Sequence, residues 1–397
     1  MRYEEYKDSG VAWIGEIPSH WEVAAFKRRI SINNGRDYKE FQDDEIYPVM
    51  GSGGCFAYCS RYMYDGEALL LGRKGTIDKP LYINGKFWTV DTMFYAIPNK
   101  DLDCKFAYYL AITFPFNLYS TSTALPSMTQ TDLGNNPVAF PPLVEQQAIA
   151  SYLDKKCGKI NGAIDVQKKK IDLLNELKQT IITNAVTKGL NPNAPMKDSG
   201  VEWIGQVPEH WEVCKLKYIL KLINGRAYSQ NELLDDGKYK VLRVGNFFTN
   251  EQWYYSNLEL EKEKYCHSGD LLFAWSASFG PKIWNEDNTI FHYHIWKVNI
   301  AKTYDKMYAY YILTALSDFK RGDVHGSTMV HLTMDNMNNS FLTIPSLSEQ
   351  QSIVKYIEFE VSKVDAQISR ANRRIELLNE LKQSIITEAV TGKIKVI

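Results

Sequence analysis

The chain is written twice. Lys7 to Val23 (KDSGVAWIGEIPSHWEV) returns as Lys197 to Val213 (KDSGVEWIGQVPEHWEV), with 13 of 17 positions identical at an offset of 190. Asn34-Gly35-Arg36 recurs at the same offset as Asn224-Gly225-Arg226. Farther on, Leu173 to Lys188 (LLNELKQTIITNAVTK) returns as Leu377 to Gly392 (LLNELKQSIITEAVTG), with 13 of 16 identical and the offset now 204. Glu145-Gln146-Gln147 likewise reappears as Glu349-Gln350-Gln351. The second copy thus carries 14 extra residues between its framework segments, the difference between the two offsets. Units this long are not the short stacked repeats of a solenoid. At 397 residues the chain has room for two modules of one architecture.

Between the framework segments the copies part company. Copy one has MGSGGCFAYCS and LLLGRKGTIDKP; copy two has RVGNFFTNEQWYY and LLFAWSASFGPKIW. Short aromatic and β-branched runs such as 86–97 and 289–300, broken by Gly, Asn and Asp, predict strands and turns. Phe106–Thr113 and Met307–Leu316 read as short helices. After Pro142 and Pro345 come long helices. Ile160, Ile164, Ile171, Leu174, Leu177, Ile181 and Ala185 fall at helical spacing, and Val364, Ile368, Ile375, Leu378, Leu381, Ile385 and Ala389 take the same seven places in copy two. Gly158 and Gly162 are expected to loosen the first helix, and Asn191-Pro-Asn-Ala-Pro195 to end it. The simplest partner for each stripe is the other helix, in an antiparallel pair over 159–188 and 363–390 that spaces the two modules. The alternative is two ordinary core helices of independent domains.

The expected architecture is α+β: two domains in a pseudo-twofold arrangement, separated by two long antiparallel, coiled-coil-like helices. Domain one covers 1–142, the first helical spacer 143–190, a linker 191–196, domain two 197–346, and the second spacer 347–397. No run of about 18 apolar residues is available for a membrane span. The charged start MRYEEYKDSG does not read as a secretory signal. Six cysteines without a CxxC pair suit a reducing compartment, so a cytoplasmic protein is expected.

KDSGxxWIGxxPxHWEV, the Asn-Gly-Arg loop, a proline followed by LxEQQ, and LLNELKQxIITxAVT, each present twice and in order, resemble the specificity subunit of type I restriction–modification systems. The resemblance spans essentially the whole chain. It implies two target-recognition domains, each reading one half of a bipartite, asymmetric site on double-stranded DNA, with the long helices acting as a ruler. It also implies docking of two methyltransferase subunits and of restriction–translocase subunits. Any S-adenosylmethionine, ATP and Mg would then be bound by those partners, with no cofactor or metal on this chain. An antiparallel rod of about 45 Å for 30 residues is of the order of one DNA turn, roughly 34–36 Å.

Charge tempers that expectation. Residues 1–142 hold 14 Lys and Arg against 17 Asp and Glu, and residues 197–346 hold 16 against 18. Phosphate contacts supply most non-specific affinity, so the isolated chain is expected to bind DNA weakly and its partners to supply much of the backbone grip. Arg36 and Arg226, in the paired loops, are candidate DNA contacts, with Lys27 and Arg28, and Lys215, after the repeated Trp-Glu-Val. Arg73 and Lys74 lie in a basic Gly72–Gly75 turn that suits a groove-entering loop; arginine bidentate to guanine is the commonest specific base contact. Copy two offers Arg243, Asn246, Ser276 and Lys282 in the comparable stretch. Ser122, Thr123 and Gln130, and His325, Ser327 and Thr328, fall in polar segments ahead of the long helices. The repeated Trp13/Trp203, Trp21/Trp211 and His20/His210 read as packing and turn residues.

Catalytic motifs are wanting. There is no GxxxxGK[ST] loop or GxGxxG turn, and Asn135-Asn136-Pro137-Val138 lacks the second proline and the aromatic of an adenine-methyltransferase motif. Cys266, His267, His292 and His294 lack the usual spacing of a zinc site and have no counterpart in copy one. No catalytic site is expected. The competing function is a pseudo-symmetric adaptor that recruits two protein partners without reading DNA, but identical partners would not require divergent middles.

Overall fold

The computed structural model describes residues 2–42, 46–119, 126–276, 279–322 and 332–396. It forms two compact units, Met1–Lys168 with Asn372–Ile397, and Lys169–Ala371. Each unit holds one copy's strand-rich module, completed by the last turns of the other copy's long helix.

In the first unit, β1 (Tyr6–Asp8) pairs with β2 (Glu16–Pro18), while β3 (Glu22–Ala25) is reserved for β10 below. A mixed sheet follows from β4 (Ile30–Asn34), β5 (Tyr47–Gly51), β6 (Gly54–Cys59), β7 (Tyr64–Gly72), β8 (Leu81–Thr89) and β9 (Met93–Pro98). Its order is β4-β9-β7-β8-β5-β6, antiparallel except where β5 meets the end of β8. Helices α1 (Cys104–Ile112), α2 (Phe116–Tyr119) and α3 (Gln130–Asn135) precede β10 (Pro137–Phe140), which pairs with β3. Helix α4 (Leu143–Lys188) then begins directly after the proline pair 141–142.

The second unit repeats the plan. Strands β11 (Met196–Asp198) and β12 (Gln206–Pro208) pair, β13 (Glu212–Lys215) later takes β22, and β14 (Leu220–Asn224) opens the sheets. The divergent middle supplies β15 (Tyr239–Leu242), α5 (Val244–Phe248), β16 (Tyr254–Ser256), β17 (Tyr265–Cys266), β18 (Leu271–Ala274), β19 (Gly280–Ile283), β20 (Thr289–Phe291) and β21 (Ile295–Ile300). These make two four-stranded sheets, β14-β21-β18-β19 and β16-β15-β20-β17. In copy one the corresponding surface is a single sheet because β7 and β8 run unbroken, with Gly66 opposite Gly85, both at positive φ. Helices α6 (Lys306–Gly322) and α7 (Met334–Asn339), strand β22 (Phe341–Ile344) and helix α8 (Leu347–Val390) finish the chain.

The long helices are unbroken. Gly158 and Gly162 do not interrupt α4: nothing lies within 4 Å of where either Cβ would be, so they cost only propensity, about 1 kcal/mol each. At 46 residues α4 is about 69 Å long, well beyond the stretch picked out by its apolar stripe. Within each unit the two helices meet antiparallel. In the first unit Lys382 donates to Asn161 Oδ1 (3.0 Å); in the second Lys178 donates to Asp365 (2.8 Å).

The framework motifs explain how each unit closes. Gly189 and Gly392, just past the helix ends, adopt φ +72° and +74°. A Cβ on Gly392 would sit 2.3 Å from Pro18 Cδ, and one on Gly189 3.0 Å from Trp211 Cζ2. Thus the Pro-x-His-Trp segment of each module is the seat for a helix terminus, and Trp21 and Trp211 are fully buried, with Ile386, Ala389 and Val390 in the first core and Ile182, Ala185 and Val186 in the second. Gln146 and Gln350 are buried clamps at the other end. Gln146 accepts from Asp103 N–H (2.9 Å) and donates to Asp101 O (3.1 Å) and Pro141 O (2.9 Å). Gln350 repeats this with Asp305 N–H (2.6 Å), Thr303 O (3.3 Å) and Pro345 O (2.9 Å). Glu145 and Glu349 accept from His20 (2.9 Å) and His210 (2.8 Å). The repeated histidines and tryptophans are therefore packing and turn residues.

Candidate nucleic-acid interface

The Asn-Gly-Arg loops mark where the chain crosses from framework to divergent middle. A Cβ on Gly35 would lie 2.0 Å from Val90 O, and one on Gly225 2.3 Å from Phe291 O, so only glycine allows the strand to return so close. The next residue ties the crossing: Arg36 N–H donates to Thr89 O (2.9 Å), and Arg226 N–H to Phe291 O (3.0 Å). Their side chains differ. Arg36 is exposed, whereas Arg226 donates to Glu232 (2.7 Å) and lies 5.3 Å over the Tyr228 ring. That carboxylate is held at about 2 by the Arg226 and Ser229 hydrogen bonds. One loop offers a guanidinium to solvent; the other uses it to brace the segment 226–232.

Aligning the copies by these crossings reveals a shared backbone socket. Arg73 N–H donates to Thr92 O (2.8 Å), its carbonyl accepts from Met128 N–H (2.9 Å), and its guanidinium donates to Asp91 O (3.2 Å) while standing 6.0 Å over Phe94. Trp275 does the same in copy two. Its N–H donates to His294 O (3.0 Å), its carbonyl accepts from Leu332 N–H (3.1 Å), and its indole N–H donates to Tyr293 O (2.7 Å) while stacking 5.8 Å over Trp296. An arginine over a phenylalanine and a tryptophan over a tryptophan thus occupy one place in the fold. The basic turn of copy one is consequently not a loose loop: Gly75 N–H is also bound to Pro126 O (2.9 Å), and a Cβ on Gly72 would strike Thr76 O at 2.3 Å. Of that turn's two cations, Lys74 is exposed and Arg73 is half-buried.

The other sequence candidates sort by whether the fold already occupies them. Lys27 is exposed and donates to Asn135 (2.6 Å), Arg28 is exposed, and Gln130 donates to Ile32 O. Lys215 donates to Asn339 (3.2 Å), the copy-two position matching Asn135. Ser276 is buried. Lys282 donates to Phe247 O (2.7 Å) and stands between the Phe247 and Trp284 rings, at 5.6 and 5.9 Å. Asn246 donates to Asn250 O (3.0 Å) and Gln252 O (2.7 Å). Arg243 is exposed, 5.3 Å over Tyr254. Ser122, Thr123, His325, Ser327 and Thr328 lie outside the described residues. Sequence reasoning did not single out Trp275, and grouped His292 and His294 only in a rejected metal set; their ring centroids lie 4.8 Å apart beside Arg243. The signal for Trp275 is an offset of 202 to Arg73, which neither framework offset supplies.

Comparison with known proteins gives this arrangement its context. The family model described as the type I restriction modification DNA specificity domain matches residues 18–181 and again 208–380. The MjaVIII type I restriction enzyme specificity subunit of Methanocaldococcus jannaschii is 24% identical over 425 aligned positions, covering 96% of this chain and 94% of its own. The MjaIX specificity subunit of the same organism is 23% identical, covering 100% and 98%. A solved structure described as the structural basis underlying complex assembly and conformational transition of the type I R-M system shares the fold, with a TM-score of 0.70 at 15% identity over 95% of this chain and 99% of that one. The chain belongs to the type I restriction–modification DNA specificity family, with two copies of the family's domain. It is a subunit for DNA target recognition, and by family the catalytic steps are not its own. Among the described residues, no helix is long and apolar enough to cross a membrane.

Proposed function

We propose that the chain reads a bipartite, asymmetric target on double-stranded DNA, one half with each copy, and presents that site to two methyltransferase subunits, with restriction–translocase subunits joining the assembly. The observation that carries this reading is the shared socket: one framework, held by matching backbone hydrogen bonds, displays Arg73 in one copy and Trp275 in the other. A single scaffold with two different reading surfaces is what an asymmetric target demands, and an adaptor for identical partners leaves it unexplained. S-adenosylmethionine, ATP and Mg belong, on this reading, to the partners.

Docking has its own support. Leu377 and Leu381 in the first unit, and Leu173 and Leu177 in the second, are 48%, 49%, 64% and 46% exposed. They are the same residues of the duplicated LLNELKQ segment, and their positions four apart put them on one helix face. Two like apolar faces, one per unit, fit two copies of one partner. Replacing Leu377 and Leu381 by Asp should leave the fold intact and reduce the methyltransferase copies bound from two to one, read by native mass spectrometry. Retention of both copies would remove these faces from the docking model.

A further inference from the structure

The second copy has a concave element where the first has a tight turn. Leu242 and Met50 hold the same place: each pairs in parallel with the residue whose carbonyl receives the Asn-Gly-Arg loop, Phe291 in one copy and Thr89 in the other. From Met50 the chain turns back at once through Gly51-Ser52-Gly53-Gly54 into β6. From Leu242 it instead runs through Arg243, helix α5 and Trp253 before β16 begins. This longer connection walls a cleft of about 260 Å3, lined by Arg243, Asn246, Gln252, Tyr254, His292 and His294 among others.

The cleft is preformed. The Asn246 amide staples the connection through Asn250 O and Gln252 O, Lys282 holds Phe247 O from below, and His292 N–H is tied to Leu242 O (2.9 Å). The Arg243 guanidinium is positioned over Tyr254, with no carboxylate paired to it among the described residues. Among the described lining residues there is no Asp or Glu, which disfavours a cationic ligand. Burial, His294 and Arg243 lower the His292 pKa to about 4, so its ring is neutral near pH 7; Nδ1 accepts from His294 N–H (3.5 Å), which leaves the Nε2–H as the donor. The volume is below the 300–1,000 Å3 usual for cofactor-sized ligands, but suits the edge of a base. Arginine bidentate to guanine is the commonest specific base contact, and side-chain amides such as that of Gln252 read adenine edges.

We propose that this cleft reads base edges in the half-site assigned to copy two, with Arg243 taking the O6/N7 edge of a guanine and His292 and His294 facing the neighbouring position. The proposal rests on the bipartite reading above. Its test uses the chain assembled with its methyltransferase subunits, and measures competition binding of the mapped target duplex and of duplexes with single substitutions along both halves. Arg243→Ala should cost about 5–150-fold in affinity for the target and erase the preference at one position of one half only. Arg243→Lys, which keeps the charge but not the bidentate fork, should lose the same preference while binding unrelated duplexes as wild type does. His294→Ala should relax an adjacent position. Equal weakening on all duplexes by Arg243→Ala, with the base preference intact in Arg243→Lys, would make Arg243 a phosphate contact and overturn the proposal, as would unchanged preference at every position. If the wild-type complex shows no two-part target, the bipartite reading itself fails, which is a separate outcome.

Discussion

Gln146→Leu tests the claim that the duplicated Glu-Gln-Gln segment is a structural clamp. The change keeps the volume approximately but removes three hydrogen bonds, leaving Asp103 N–H and Pro141 O without their partner; Asp101 O retains a longer bond from Arg29 (3.4 Å). A buried group left unpaired costs about 1–3 kcal/mol; with Asp103 only half-buried, the two together should cost about 2–4 kcal/mol. For a unit of this size that lowers the melting midpoint by roughly 5–15 °C. Calorimetry on the full chain should show the loss in the transition of the first unit, and Gln350→Leu should produce its counterpart in the second. Gln146→Glu should be worse near neutrality, because two of the three bonds need a donor and the carboxylate would face two carbonyls. Protonation would ease that conflict, so its deficit should shrink on acidification. A loss below about 1 kcal/mol for both leucine variants would refute the clamp.

Two further expectations concern titration and length. At the start of α8, burial would raise the Glu349 pKa, but hydrogen bonds from His210, Trp211 and Ser346 hold it at about 2. Its contribution is therefore complete above about 4.5 and is lost as pH falls toward 2; Glu349→Gln should flatten the acid limb of unfolding over that window, and an unchanged limb would contradict the assignment. Inserting four residues after Lys168 and four after Arg374 lengthens each helix by about 6 Å and keeps its stripe nearly in phase. The unspecified spacer of the methylated motif should then grow by at most about two base pairs, at about 3.4 Å each, with both halves unaltered; an unchanged spacer in a folded, active variant would leave the helices as plain scaffold.

The framework was legible because it is duplicated and because helical stripes declare themselves. The paired helices and the packing roles of Trp21, Trp211, His20 and His210 could all be read from residue patterns. The clamp could not, since a glutamine in Glu-Gln-Gln looks like a solvated helix start until its three partners are seen. Leu177 and Leu381 belong to the periodic stripes yet stay exposed, because the stripe is wider than the groove between two helices. The reading surface was the least legible part. Insertions of unequal length hide the equivalence of Arg73 and Trp275, and Arg226 gives no sign in sequence that Glu232 and Tyr228 hold it. Backbone hydrogen bonds, rather than residue type, decide which of these side chains stand free.

The central claim, one half-site per copy, is tested most directly by exchanging residues 24–140 for the corresponding middle of a related specificity subunit and mapping methylated sites by long-read sequencing in cells that carry the methyltransferase. The account predicts a new sequence in one half of the motif, with the other half and the spacer length retained. Alteration of both halves, or of neither in a complex that still methylates DNA, would contradict it.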